Sequence, residues 1–179
     1  MFKKLFIPKA LFVYGLFLVL GGMAFALYLQ FFQGLQPCSL CVFQRLAYIV
    51  YGLIALLAII QNPESWGGRI YAFLQLPVAI LGMAIALRQV WLQSLPTDQV
   101  PACGPGINFL LQEFPISKVV QVVWAGSSDC AIVTWRFWTL SMATWSAILF
   151  GVLFLLSLFT MLKQYNGHKK KTKSSKKES

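Results

Sequence analysis

Residues 10–29 read ALFVYGLFLVLGGMAFALYL, twenty positions without a charge. At about 1.5 Å of rise per residue, such a run wound as a helix crosses the ~30 Å hydrocarbon core of a bilayer. Three further runs repeat the pattern. Residues 42–60 are polar only near their start, at Gln44 and Arg45. Residues 70–91 contain Gln75 and Pro77 and end on Arg88 and Trp91, placed as interface anchors; proline is tolerated in membrane helices. Residues 142–162 again carry no charge. The four runs predict an all-α membrane protein, a four-helix transmembrane bundle in a single domain, 1–162. Composition agrees. Hydrophobic residues make up 58% and charged residues 11%, with a mean hydropathy of +0.69. Soluble domains carry about 25% charge, so a water-soluble globular protein is excluded. A disordered chain is excluded by the same numbers.

The net charge of +10 raises a nucleic-acid reading. The cations are placed otherwise. Seven of the fifteen Lys/Arg lie between Lys163 and Lys177, and Lys3, Lys4 and Lys9 precede the first span. Such flanks are what the positive-inside rule collects on the cytoplasmic side. With both termini and the turn 61–69 on one side, that side holds eleven Lys/Arg. The other side holds Arg45, Arg88, Lys118 and Arg136. Both termini are therefore expected in the cytoplasm, with loops 30–41 and 93–141 outside. The Lys-rich tail, 163–179, is expected to be disordered. The apolar run after Lys9 continues past Ala24-Phe25-Ala26 to Phe32, longer than a signal-peptide core, and reads as an uncleaved first span.

All four cysteines, Cys38, Cys41, Cys103 and Cys130, fall on the outward side or at its junction with a span. In a bacterial-type cell that side is oxidising. Three readings compete: two structural disulfides, a four-thiolate metal site, and a relay of thiol–disulfide exchange between two dithiols. Cys38-Ser-Leu-Cys41 closes almost no loop, so as a staple it stabilises little, and short C-x-x-C bridges are commonly redox-active. Cys103 and Cys130 are separated by 26 residues and the single histidine, His168, lies in the tail, which is not the spacing of usual zinc sites. Pro37 places the C-x-x-C at the N-terminal end of the second span, where helix N–H groups favour a thiolate. Arg45 lies one turn beyond Cys41 on the same face; it either stabilises that thiolate or is an ordinary interfacial anchor.

Exchange only moves electrons between sulfurs, so a relay needs a terminal acceptor. At a membrane boundary this points to a quinone. Tyr14, Phe31, Phe32, Phe43 and Tyr48 are candidates to line its ring pocket, or else belt and packing groups. No Gly-rich dinucleotide motif or haem C-x-x-C-H is present. In the long loop, Pro101-Ala-Cys103-Gly-Pro-Gly106 is turn-rich and should expose Cys103. Residues 107–124 are apolar but interrupted, and read as a membrane-surface helix broken at Pro115. Gly126-Ser-Ser-Asp-Cys130 reads as a flexible turn.

Pro37-Cys38-Ser-Leu-Cys41 with Gln44-Arg45, Ala102-Cys103-Gly-Pro-Gly, Phe114-Pro115, Gly126-Ser-Ser-Asp129-Cys130-Ala131, Trp135 and Ser141-Met142-Ala-Thr-Trp145 together resemble the bacterial disulfide bond formation protein B (DsbB) family. The resemblance runs from about the first span to the fourth. It implies an inner-membrane thiol:quinone oxidoreductase that reoxidises a periplasmic thioredoxin-fold dithiol oxidase (DsbA-like) and passes two electrons to ubiquinone or menaquinone, with no metal. It implies disulfides Cys38–Cys41 and Cys103–Cys130. Cys103 would take the attack of the partner thiolate, Cys130 would form a transient bridge with Cys38, and Cys41 would face the quinone in a charge-transfer complex, beside Arg45. Gln44 stands where the family can have an acidic residue, and Ala143 where it often has proline. The alternatives are a vitamin K epoxide reductase-like quinone-linked enzyme, and a tetraspanin-like scaffold whose disulfides are inert.

Overall fold

A computed structural model of the chain describes residues 8–34, 37–62, 65–96, 115, 117, 121, 128–131, 133 and 135–178. Its elements are α1 (Pro8–Phe32), α2 (Ser39–Gln61), α3 (Ser65–Gln93), the short α4 (Ser128–Ala131), strands β1 (Arg136–Phe137) and β2 (Leu140–Ser141), and α5 (Met142–Glu178). Four helices are long and apolar enough to cross a membrane, over Lys9–Phe32, Ser39–Gln61, Trp66–Gln93 and Met142–Tyr165. Each of the first three overruns its apolar run, because the intrahelical hydrogen bonds persist into the interface. Pro77 sits within an unbroken α3, on its exposed side.

α5 does not stop at the end of the apolar run. It continues as helix to Glu178, where the composition predicted a disordered Lys-rich tail. The segment extends a preformed span, so its helix needs no new nucleus. The membrane-surface helix expected at 107–124 and Cys103 lie outside the described residues.

Each spanning helix packs on two neighbours: α1 on α2 and α5, α3 on α2 and α5, with α3 against α5 the most extensive contact. The buried residues of α3 follow alternating steps of three and four: Ala72, Gln75, Ala79, Gly82, Ala86, Gln89. In α2 the same spacing gives Gln44, Tyr48, Tyr51, Ala55 and Ala58. In α5 it gives Phe150, Leu153, Ser157, Thr160 and Gln164. This is the heptad seam of coiled-coil packing. Its small residues let the backbones approach, as membrane helices require when lipid is as apolar as the core. Large apolar side chains such as Phe17, Leu81 and Leu155 are exposed, on the surface that meets lipid.

Two tyrosines of α2 reach across the bundle to α5. Tyr48 stacks on Phe150 with centroids 4.2 Å apart and pairs with Ser146 Oγ at 3.0 Å. Tyr51, fully buried, pairs with Ser157 Oγ at 2.8 Å and donates to the Leu153 carbonyl at 3.2 Å. Ser157 also donates to that carbonyl, so Tyr51→Phe strands no acceptor. The expected loss is about 1 kcal/mol, read as a lowered thermal midpoint in detergent.

Candidate redox site

Cys38 is the N-cap of α2. Its backbone is extended (φ −70°, ψ 167°) and its sulfur accepts from the Cys41 amide at 3.4 Å, while its carbonyl accepts from Val42 N at 3.1 Å. The capping geometry follows from Pro37, which keeps the preceding chain out of the helix. It turns both sulfurs of the C-x-x-C the same way. They are 2.9 Å apart. The two sulfurs are thus within reach of one another for the Cys38–Cys41 bridge that the resemblance implies.

α4 brings the third cysteine to the pair. Cys130 is fully buried and packs with Cys38, Leu40 and Leu92, flanked by Cys41, Phe43, Ile85 and Leu95. Its sulfur lies 3.6 Å from Ser39 Oγ. The segment that reads as a flexible turn thus ends in one helical turn whose cysteine is seated on the C-x-x-C. Hydrogen bonding to Cys130, then to Cys41, then burial, holds the Cys38 thiol well above the usual cysteine range.

Arg45 turns inward. It donates to Gln30 Oε1 and, at 3.2 Å, to the Ala26 carbonyl, both on α1. It does not snorkel as an isolated interfacial anchor would. Arg88 does take the interfacial position, its guanidinium 4.2 Å from the Trp91 ring centroid.

Cys38, Cys41 and Arg45 line one cavity of about 500 Å³, built from all four spanning helices and the chain before α5. Of the five aromatics considered for this role, only Tyr48 lines it. Tyr14, Phe31 and Phe32 are exposed, and Phe43 packs beside the cysteines. The aromatic wall comes instead from Phe25, Trp135, Phe137 and Trp145. Trp135 meets Phe25 edge-on at 5.4 Å and stacks on Phe137 at 5.8 Å. The β1–β2 hairpin carries Phe137 into place, with Trp138 and Thr139 at positive φ in its turn. Trp145 Nε1 donates to the Phe137 carbonyl at 3.3 Å.

Two glutamines complete the site. Gln89 Nε2 lies 3.3 Å from the Cys41 sulfur and 3.5 Å from that of Cys38. Gln44 Nε2 donates to Gln89 Oε1 at 2.7 Å. The sequence reading passed over Gln89, although it sits on the small-residue seam of α3, seven residues beyond Gly82 and fourteen beyond Gln75. Among the described residues no group of three His, Cys, Asp or Glu is arranged to hold a metal.

The family model described as "Disulfide bond formation protein DsbB" matches residues 8–160. The chain belongs to the DsbB family. A relative from Marinobacter nauticus, named disulfide bond formation protein B, is 46% identical over 156 residues, covering 86% of this chain and 93% of that protein. One of the same name from Hahella chejuensis is 47% identical over 135 residues, 75% of this chain and 82% of that protein. Disulfide bond formation protein B 1 of Pseudomonas aeruginosa is 40% identical over 157 residues, 88% and 96% respectively. As a DsbB-family protein the chain is a multi-pass membrane disulfide oxidoreductase. The epoxide reductase-like and scaffold alternatives give way to this match.

Proposed function

We propose that the protein is a thiol:quinone oxidoreductase of the bacterial inner membrane, with both termini cytoplasmic, which reoxidises a DsbA-like periplasmic dithiol oxidase. The observation that carries this is the shared cavity: the C-x-x-C sulfurs open onto an apolar, aromatic-walled space that also holds an inward arginine. Its volume of about 500 Å³ falls in the range of small-molecule sites. Apolar walls with one guanidinium and the Cys41 sulfur suit a flat ring bearing polar carbonyls. The Lys/Arg asymmetry supports the orientation.

The sulfur chemistry follows from exchange. A partner thiolate attacks Cys103 of a Cys103–Cys130 bridge, and the pair of electrons leaves on Cys130. Cys130 attacks Cys38 of the Cys38–Cys41 bridge, and Cys41 leaves as thiolate. The partner's second thiolate closes its own disulfide and frees Cys103, which displaces Cys38 from Cys130 and restores its bridge. Ubiquinone or menaquinone, when bound, takes two electrons and two protons from the Cys38–Cys41 dithiol. The contact of Cys130 with the C-x-x-C supports the middle transfer.

A short-chain quinone bearing a photoreactive azide is expected to label residues of this cavity, with unmodified quinone competing; labelling confined to the outer lipid face would overturn the assignment. Arg45→Ala is expected to raise the KM for quinone about tenfold or more, with trapping of the partner unchanged. Loss of folding instead would make the bonds to Ala26 and Gln30 its main role.

A further inference from the structure

Gln89 is almost wholly buried, at 4% exposure, and so is Gln44, at 5%. A buried amide must satisfy both ends. The Oε1 of Gln89 accepts from Gln44 Nε2 at 2.7 Å and lies 3.7 Å from the Cys41 sulfur, farther than its Nε2. Its Nε2 is the nearer end to the two redox sulfurs, Cys41 at 3.3 Å and Cys38 at 3.5 Å. A thiolate only accepts hydrogen bonds. With the opposite amide orientation, oxygen lone pairs would face the sulfur and oppose its charge. Gln44 Nε2 pairs with the oxygen end in this arrangement, and the α2–α3 seam sets the distance.

Resting on the thiol:quinone reading, we propose that Gln89 is a catalytic residue whose amide donates to the Cys41 sulfur when the Cys38–Cys41 bridge opens, and that Gln44 positions it. Among the described residues, the charged or titratable groups that pack on Cys41 or line the cavity with it are Cys38, Arg45 and Tyr48 of the α2 segment and Cys130 on α4. Among the cavity-lining residues α1, α3 and α5 present none. The amide is therefore the neutral donor that α3 supplies to the leaving sulfur.

The test uses the full-length protein in detergent, reduced under anaerobic conditions. Iodoacetamide labelling of Cys41 is followed by peptide mass mapping across pH, alongside kcat and KM for quinone reduction. Removing one hydrogen bond to a charged sulfur corresponds to about a tenfold effect. Gln89→Leu is expected to lower Cys41 labelling about tenfold on the rising limb of its pH profile and to lower kcat, with the KM for quinone within about twofold of wild type. Gln44→Leu should give a smaller displacement in the same direction, and the double variant no more than Gln89→Leu alone. If Gln89→Leu does not fold, Gln89→Met, close in shape and without a donor, is expected to give the same displacement. An unchanged Cys41 profile in a folded Gln89 variant overturns the proposal. Absence of quinone reduction in the wild-type protein instead overturns the thiol:quinone reading, and the labelling profile still decides the role of Gln89.

Discussion

Cys41→Ser is expected to reduce quinone reduction by at least about a thousandfold while leaving the periplasmic half of the exchange intact. The hydroxyl that replaces the sulfur neither leaves from a disulfide nor passes on an electron pair, so no Cys38–Cys41 bridge forms. A loss of that size corresponds to about 4 kcal/mol of transition-state stabilisation, far beyond what a change of packing alone would do at this half-buried position. Cys103 and Cys130 are untouched. A DsbA-like partner lacking its resolving cysteine should therefore still be captured as a mixed disulfide with Cys103. Mass mapping of the trapped species checks the order of steps. Capture at Cys38 instead would reverse it.

The second large effect is on stability. Gly82 lies on the α3 seam against α5. A Cβ built there overlaps the ring of Phe150. That ring is fully buried and stacked on Tyr48 with an interplanar angle of 4°, so it cannot swing aside without breaking the stack. Gly82→Ala is expected to cost about 1–3 kcal/mol, the range for overpacking a filled core, and Gly82→Leu more. The thermal midpoint in detergent should fall accordingly. Pairing Gly82→Ala with Phe150→Leu should restore part of the loss, since the two residues compete for one space. A neutral Gly82→Ala would contradict the close α3–α5 contact. Because Gln89 follows on the same seam, separation of α3 from the bundle should also cut activity in protein that remains folded.

The spans were legible because hydropathy needs no knowledge of which face points inward. That strength is also the limit. Where lipid and bundle interior are both apolar, a helix has little polar stripe to mark its rotation. Tyr14, Phe31 and Phe32 sit on α1 no less plausibly than Phe25, yet Phe25 faces the cavity and the other three are exposed. The C-x-x-C at a helix start was readable from Pro37 and the onset of the apolar run. The seat of Cys130 was not, since it depends on how α4 docks on α2 and α3. Gln89 was half-legible: the three-and-four spacing of Ala72, Gln75, Ala79, Gly82 and Ala86 marks it as interior, but only the juxtaposition of α2 and α3 puts it on sulfur. The hairpin gave no warning, because Trp138 and Thr139 are not residues that usually adopt positive φ.

The most direct test of the thiol:quinone assignment is anaerobic electron transfer by the purified protein in detergent. A reduced thioredoxin-fold dithiol serves as donor and quinone absorbance is followed. The account predicts one quinone reduced per donor dithiol oxidised, with the reaction abolished in Cys41→Ser. Donor oxidation without quinone reduction, or quinone reduction that survives Cys41→Ser, would contradict it.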